Sequence, residues 1–211
     1  LKTSKIIQNK QDFLIVDHYD LGYSWEKRIK KFVSGLMVID DFINRKHFCD
    51  FILNYSFAVK KKKYQKYFNK KTTFLLGSKY AILKKEYKND KIEILKNSKV
   101  KKVFLYFGTD LNNLTSKIVN IFRQKFFKEI KLHVILTSKT KNFKKQKKNI
   151  LTRPNTKIDY DLPHLANVIK KTQLGIVSGG QIVYECLSMG LPIMIFETAY
   201  NQNLSCKYLS N

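Results

Sequence analysis

Cysteine is scarce in this chain of 211 residues. Cys49, Cys186 and Cys206 form no CxxC pair and no cluster with histidine, so neither a metal site nor a cofactor site is read from them. An odd, unpatterned set of thiols reads as reduced and intracellular, which points to a cytoplasmic protein. Long apolar runs are missing as well. None approaches the length of a membrane helix, and no signal peptide is visible. Acidic residues are few: Asp and Glu number 16 against 41 Lys and Arg, a net charge of +25. Such a balance favours nucleic acid, anionic lipid or nucleotide phosphates. No recognisable nucleic-acid motif accompanies it, so nucleic acid is set aside as the main partner. Lysine is spread among many Asn, Ile, Tyr and Phe, the mixture that an AT-rich genome encodes. Only Lys60 to Lys63 and Lys141 to Lys148 are dense, and both are expected in solvated loops.

What is present is a core-forming composition, 44% hydrophobic, cut into short apolar runs. Phe13 to Val16 reads as a buried parallel strand, and Ser24 as the cap of a helix reaching Phe32. Leu36 to Ile39, Phe51 to Leu53 and Phe74 to Leu76 read as further strands. The charged stretch from Lys84 to Lys101 is the best boundary. Beyond it, strands are expected at Val103 to Phe107, His133 to Leu136, Leu174 to Val177 and Ile193 to Phe196. Leu114, Ile118, Ile121 and Phe122 form one helical stripe. A helix starts near Pro163 and runs through Lys170. Another runs from Gln181 to Met189 and is stopped by Gly190 and Pro192. The fold class is therefore α/β, with two doubly wound parallel-sheet domains of Rossmann type, the first incomplete. The expected division is residues 1–85, a linker 86–101, and a nucleotide-binding domain 102–211.

The strongest motif is Ser178-Gly179-Gly180 between a strand and a helix. Two glycines let the backbone turn tightly, and the N–H groups of the helix start suit a diphosphate. Glu185, about one turn inside, is placed to accept both hydroxyls of a ribose. A plain glycine turn with a solvated Glu is the competing reading. Gly190-Leu191-Pro192 and Asn201-Gln202 follow at distances that favour the nucleotide site. Gly108-Thr109-Asp110 ends the first strand of the same unit, where backbone N–H groups can reach phosphate or Asp110 can cap a helix; both can hold. Asp17, His18, Tyr19 and Asp20 cluster at a strand end, with residue types that can hold a sugar and move protons. Capping by Asp17 and an ordinary partly buried His18 compete with that reading. For Asp40-Asp41 loop capping is the simpler role. His47 lacks metal-ligand spacing, and His133 and His164 look structural.

These residues resemble a known family. Val16-Asp17-His18-Tyr19, Trp25-Glu26, Ile39-Asp40-Asp41, Asn44-Arg45, Cys49-Asp50 and Leu53-Asn54 look like the hydrolases of pseudaminic acid biosynthesis. So do Leu76-Gly77, Tyr80 to Leu83, Phe107-Gly108 with Asp110, and the series from Ser178 to Gln202. Those enzymes are related to MurG-like glycosyltransferases and share the GT-B fold. The resemblance implies hydrolysis of a UDP-2,4-diacetamido-2,4,6-trideoxyhexose to free sugar and UDP, by an activated water and with inversion. It implies that Gly179, Gly180 and Glu185 bind UDP, that Asn201 and Gln202 sit at the diphosphate or sugar, and that Tyr19 lies near the reacting sugar.

The departures are specific. The family's catalytic histidine lies in a glycine-rich loop after its first strand. No such segment precedes Asp17, and His18 does not match it. The turn after Phe107 has one glycine where relatives often have two. Ile182 replaces a common hydroxyl residue, and the chain ends at Asn211 where the family continues. An N-terminally incomplete enzyme, inactive by itself, is the expectation. The alternatives are a MurG-like UDP-sugar glycosyltransferase, with lysine-rich loops against anionic lipid, and a non-catalytic UDP-sugar-binding remnant.

Overall fold

In a computed structural model, residues 12–42, 44–57, 59–68, 71–88 and 99–210 are described. Part of the 84–101 stretch, residues 89–98, lies outside them. The chain divides into two compact units, residues 1–82 with 207–211, and residues 83–206.

The first unit carries β1 (Phe13–Val16), α1 (Tyr23–Ile29), β2 (Gly35–Ile39), β3 (Phe51–Asn54), the single turn α2 (Lys61–Tyr64) and β4 (Thr73–Leu76). Its four strands are parallel and lie in chain order, β1-β2-β3-β4. The core joins Val16, Ile29, Val33, Leu36, Val38, Ile52 and Tyr64. Burying a side chain of this size contributes about 1.5–3 kcal/mol. β1 corrects the expectation of a buried strand. Among the described residues it is an edge strand, with Phe13 51% and Ile15 56% exposed. α1 starts at Gly22 with no side-chain cap, so Ser24 sits inside the helix and does not cap it. The dense lysines at Lys60 to Lys63 enter the short helix α2.

The second unit carries β5 (Lys102–Tyr106), α3 (Leu114–Ile121), β6 (Lys131–Leu136), α4 (Phe143–Leu151), β7 (Thr156–Tyr160), α5 (Ala166–Ile169), β8 (Leu174–Ser178), α6 (Gln181–Ser188), β9 (Ile193–Phe196) and the start of α7 (Asn203–Leu209). The strands are all parallel in the order β7-β6-β5-β8-β9. The order reverses between β5 and β8, and a crevice outside the carboxyl ends of those two strands is where such sheets bind ligands. Gly190, at φ 78, ends α6, as its sequence position implies.

Two expectations fail here. The lysine-rich loop is largely the helix α4: Gln146 and Ile150 turn inward at 2% and 0% exposure while its lysines fan outward. β7 was not expected at all. Its Thr-Lys-Ile-Asp-Tyr alternation is that of a half-buried edge strand, held by β6 alone. Within α3 the buried stripe is Thr115, Ile118 and Val119, continued by Phe122, whereas Ile121 is 46% exposed.

Candidate functional site

The two turns singled out in the sequence flank the β5–β8 switch point. Ser178 closes β8 and is buried. Gly179 follows, and its N–H donates to the Phe196 carbonyl at 3.0 Å, so this donor is spent on the β9 side. A Cβ on Gly179 would stand 2.5 Å from Cys206 Sγ and 3.1 Å from Gln202 Cβ. Glycine is needed here for close approach of the chain before α7. Gly180 is the N-cap of α6, and a Cβ there would have room. The first N–H groups of a helix have no intrahelical acceptor, and the dipole favours an anion at this end.

Gln202 is tied into the same turn. Its Oε1 accepts from Thr198 N at 2.9 Å and Thr198 Oγ1 at 3.0 Å. That leaves its Nε2 beside Gly180, 3.7 Å from where a Cβ would lie. The Gln202 side-chain amide therefore lies beside the start of α6. Asn201 lies on the exposed outer side of the same 3-10 turn, Tyr200–Gln202.

Glu185 is half-buried on α6. Burial raises its pKa above the usual carboxylate value, opposed by a hydrogen bond from Tyr87 and by the charges of Lys84 and His164. The Tyr87 hydroxyl also accepts from Leu165 N at 2.8 Å. Sequence reasoning missed Tyr87, because it sits in the stretch expected as a linker. It is 2% exposed, at the end of a 3-10 turn packed in the second unit. Burial, with Glu185 and Asp161 nearby, also raises the Tyr106 phenol. His164 Nδ1 is buried without a hydrogen-bond partner among the described residues.

Gly108 takes φ +61 after β5, and its carbonyl accepts from Thr140 Oγ1 at 3.2 Å. Asp110 is only 3% exposed. Its carboxylate accepts from Leu114 N at 2.7 Å, Thr115 N at 3.1 Å and Gln146 Nε2 at 3.0 Å. The side chain thus fastens the start of α3 and points into the fold.

Tyr19 belongs to the first unit, at the carboxyl ends of its strands. Its hydroxyl donates to Asp41 Oδ1 at 2.9 Å, and Arg45 Nη1 donates to its carbonyl at 2.6 Å. Asp17 and His18 are exposed, and His18 Nδ1 accepts from Asp20 N at 3.1 Å. Tyr55, which sequence reasoning passed over, stands near: burial first, then Asp17 and Asp41, raise its phenol. Beneath them Asp40 is 2% exposed and Arg45 Nε contacts its Oδ2 at 2.9 Å. His47 Nε2 contacts the same oxygen at 2.9 Å, and its Nδ1 lies 2.6 Å from Glu26 Oε1. Burial works against a charged His47, but hydrogen bonds to Asp40 and Glu26 carry its pKa up to about 9. The imidazolium is a buried clamp between two carboxylates. Among the described residues, no group of three or more His, Cys, Asp or Glu is arranged to hold a metal, and no helix is long and apolar enough to cross a membrane.

No protein-family model matches the chain. It is 28% identical over 203 residues to an uncharacterized protein of Methanocaldococcus jannaschii, covering 90% of this chain and 41% of that protein. It is 25% identical over 210 residues to the UDP-2,4-diacetamido-2,4,6-trideoxy-beta-L-altropyranose hydrolase of Campylobacter jejuni, covering 97% of this chain and 73% of that one. These are distant relatives, and the chain spans less than half the length of the archaeal one. Among solved structures, Acinetobacter baumannii MurG matches with TM-score 0.51 and 7% identity, over 99% of this chain and 67% of that one. The GtfA/B complex matches with TM-score 0.50 and 11% identity, over 94% and 45%. The fold is GT-B-like, with two parallel-sheet α/β domains.

Proposed function

We propose that the second unit holds the UDP part of a nucleotide sugar, and that the protein hydrolyses a UDP-2,4-diacetamido-2,4,6-trideoxyhexose to free sugar and UDP. The observation that carries the reading is at Gly180, where the start of α6 lies beside the Gln202 amide. The diphosphate lies against Gly180 and Gln202, with Ser178, Gly179 and Gly108 shaping the turns and Asp110 bracing one of them. The ribose hydroxyls donate to Glu185, which Tyr87 orients. Asn201 borders the diphosphate or the sugar. The distant likeness to the Campylobacter jejuni hydrolase supports the choice of sugar.

In the reaction proposed, water attacks the anomeric carbon as the bond to the UDP oxygen breaks. The water proton passes to a general base, and helix-start donors stabilise the charge left on UDP. The distant likeness to the Campylobacter jejuni hydrolase is the ground for assigning Tyr19 to the sugar. The MurG-like fold supports a second reading, transfer of the sugar to an acceptor other than water. Incubation with the UDP-sugar, followed by product analysis, separates them. Free sugar and UDP support hydrolysis, and a glycoconjugate supports transfer. UDP binding without turnover supports a binding remnant or an enzyme inactive by itself, and no UDP binding overturns the nucleotide site.

A further inference from the structure

The second unit has a cavity at the end of its sheet opposite the nucleotide crevice. It is an open depression of about 430 Å³, lined by the first residues of β5, β6 and β7 and by the segment after α5. Four lysines face it, Lys102, Lys131, Lys157 and Lys171, and no acidic residue lines it. They come from four separate segments, so a single run of lysine does not account for them. Lys102, Lys131 and Lys171 have no carboxylate partner among the described residues. Lys157 Nζ shares Asp159 Oδ2 with His133 Nε2, both at 2.7 Å.

Like charges gathered round a depression repel, and because the four lysines are exposed their joint field is strongest at low ionic strength. His133 registers this field from the cavity wall. Burial lowers its pKa, and Lys157 and Lys171 lower it further against the pull of Asp159. The volume falls in the range of small-molecule sites, about 300–1,000 Å³. No Phe, Tyr or Trp lines the cavity, so it lacks the broad stacking platform of single-stranded nucleic acid sites.

We propose that this cavity binds a small multivalent phosphate-bearing anion, held by Lys102, Lys131, Lys157 and Lys171, as a site distinct from the nucleotide crevice.

The test is calorimetric titration of the whole chain with inorganic tripolyphosphate at low ionic strength, alongside the imidazole titration of His133 followed by NMR. One equivalent is expected to bind and to shift the His133 titration to higher pH. The double variant Lys131→Glu, Lys157→Glu should lose at least tenfold in affinity. The control Lys144→Glu, Lys145→Glu carries the same charge change on the exposed face of α4 and should stay within twofold of the parent. Equal losses in both variants would reduce the effect to net charge and overturn the site. So would an unmoved His133. Binding to phosphatidylglycerol vesicles with no uptake of tripolyphosphate would overturn it in favour of a membrane surface.

Discussion

His47 and Glu26, 21 positions apart in the chain, meet at 2.6 Å with neither side chain exposed. The other Glu26 oxygen accepts from Phe48 N at 2.6 Å, and the other face of His47 meets Asp40. α1, the end of β2 and the loop before β3 are thereby locked through one imidazolium. Removing a partner from a buried ion pair costs about 3–5 kcal/mol, since a charge is left uncompensated. His47→Phe removes the ion-pair partner of Glu26 and leaves Asp40 with Arg45 alone. Denaturant unfolding should show a loss in that range, and an unchanged midpoint would refute the clamp.

The same clamp has a pH signature. His47 holds its proton more tightly folded than unfolded. Its contribution to stability is therefore complete below the ordinary value of 6.5 and is lost as pH rises through about 9. Unfolding free energy measured from pH 6 to pH 10 should fall across this window, and the fall should be smaller in His47→Phe, where the Cys49 and Cys186 thiols, raised by burial, still weaken the fold near the upper end.

At the proposed ribose site, Glu185→Ala should abolish UDP binding measured by calorimetry. Unchanged affinity would sink the ribose assignment. The carboxylate must be ionised to accept two hydroxyls, and its pKa lies above the ordinary 4.5 because of burial. UDP affinity should be full at neutral pH and decline on acidification sooner than an unperturbed carboxylate would dictate. Tyr87→Phe removes an orienting hydrogen bond and should weaken UDP severalfold without abolishing binding.

Gly179→Ala places a methyl within 2.5 Å of Cys206 Sγ and 3.1 Å of Gln202 Cβ. The segment bearing Gln202 must shift, so both thermal stability and UDP affinity should drop. Cys206→Ala in the same chain removes the nearer clash and should recover part of the stability. Gly180→Ala meets nothing closer than 3.7 Å and should leave the melting temperature nearly unchanged.

Asp110 reads out in stability. Its carboxylate satisfies two N–H groups at the start of α3 and the Gln146 amide. Loss of such a cap costs about 0.5–2 kcal/mol. Asp110→Ala should exceed that, because φ 46 disfavours alanine and Gln146 loses an acceptor. Asp110→Asn, which tolerates the left-handed region, should cost less. Equal losses measured by denaturation would contradict the geometry.

Short-range patterns in the chain are enough to place most of this architecture. Apolar runs of three to five residues mark eight of the nine strands among the described residues, and Gly190 with Pro192 marks the end of α6. Such signals lie within one element and report its own periodicity. β7 escaped because its lysine and aspartate sit on one face of an edge strand, and burial on the other face depends on α4 being a helix. α4 in turn was hidden by lysines whose solvent-facing side says nothing of Gln146 and Ile150 beneath.

The site divides in the same way. Ser178, Gly179, Gly180 and Glu185 were legible because one strand–turn–helix holds all four. Tyr87 and Thr198 were not, since a hydrogen bond to Glu185 or Gln202 leaves no local mark on the residue that makes it. Arg153 is a further case: in sequence it is one more cation, but in the fold it is 3% exposed and donates to the carbonyls of Phe122, Phe127 and Ile130. The amino-acid order alone determined eight of the strands among the described residues and the glycine turns that follow β5 and β8, because periodicity and backbone freedom are local properties. The tertiary structure decided which polar groups are buried and paired, because burial and charge compensation arise only when distant segments come together.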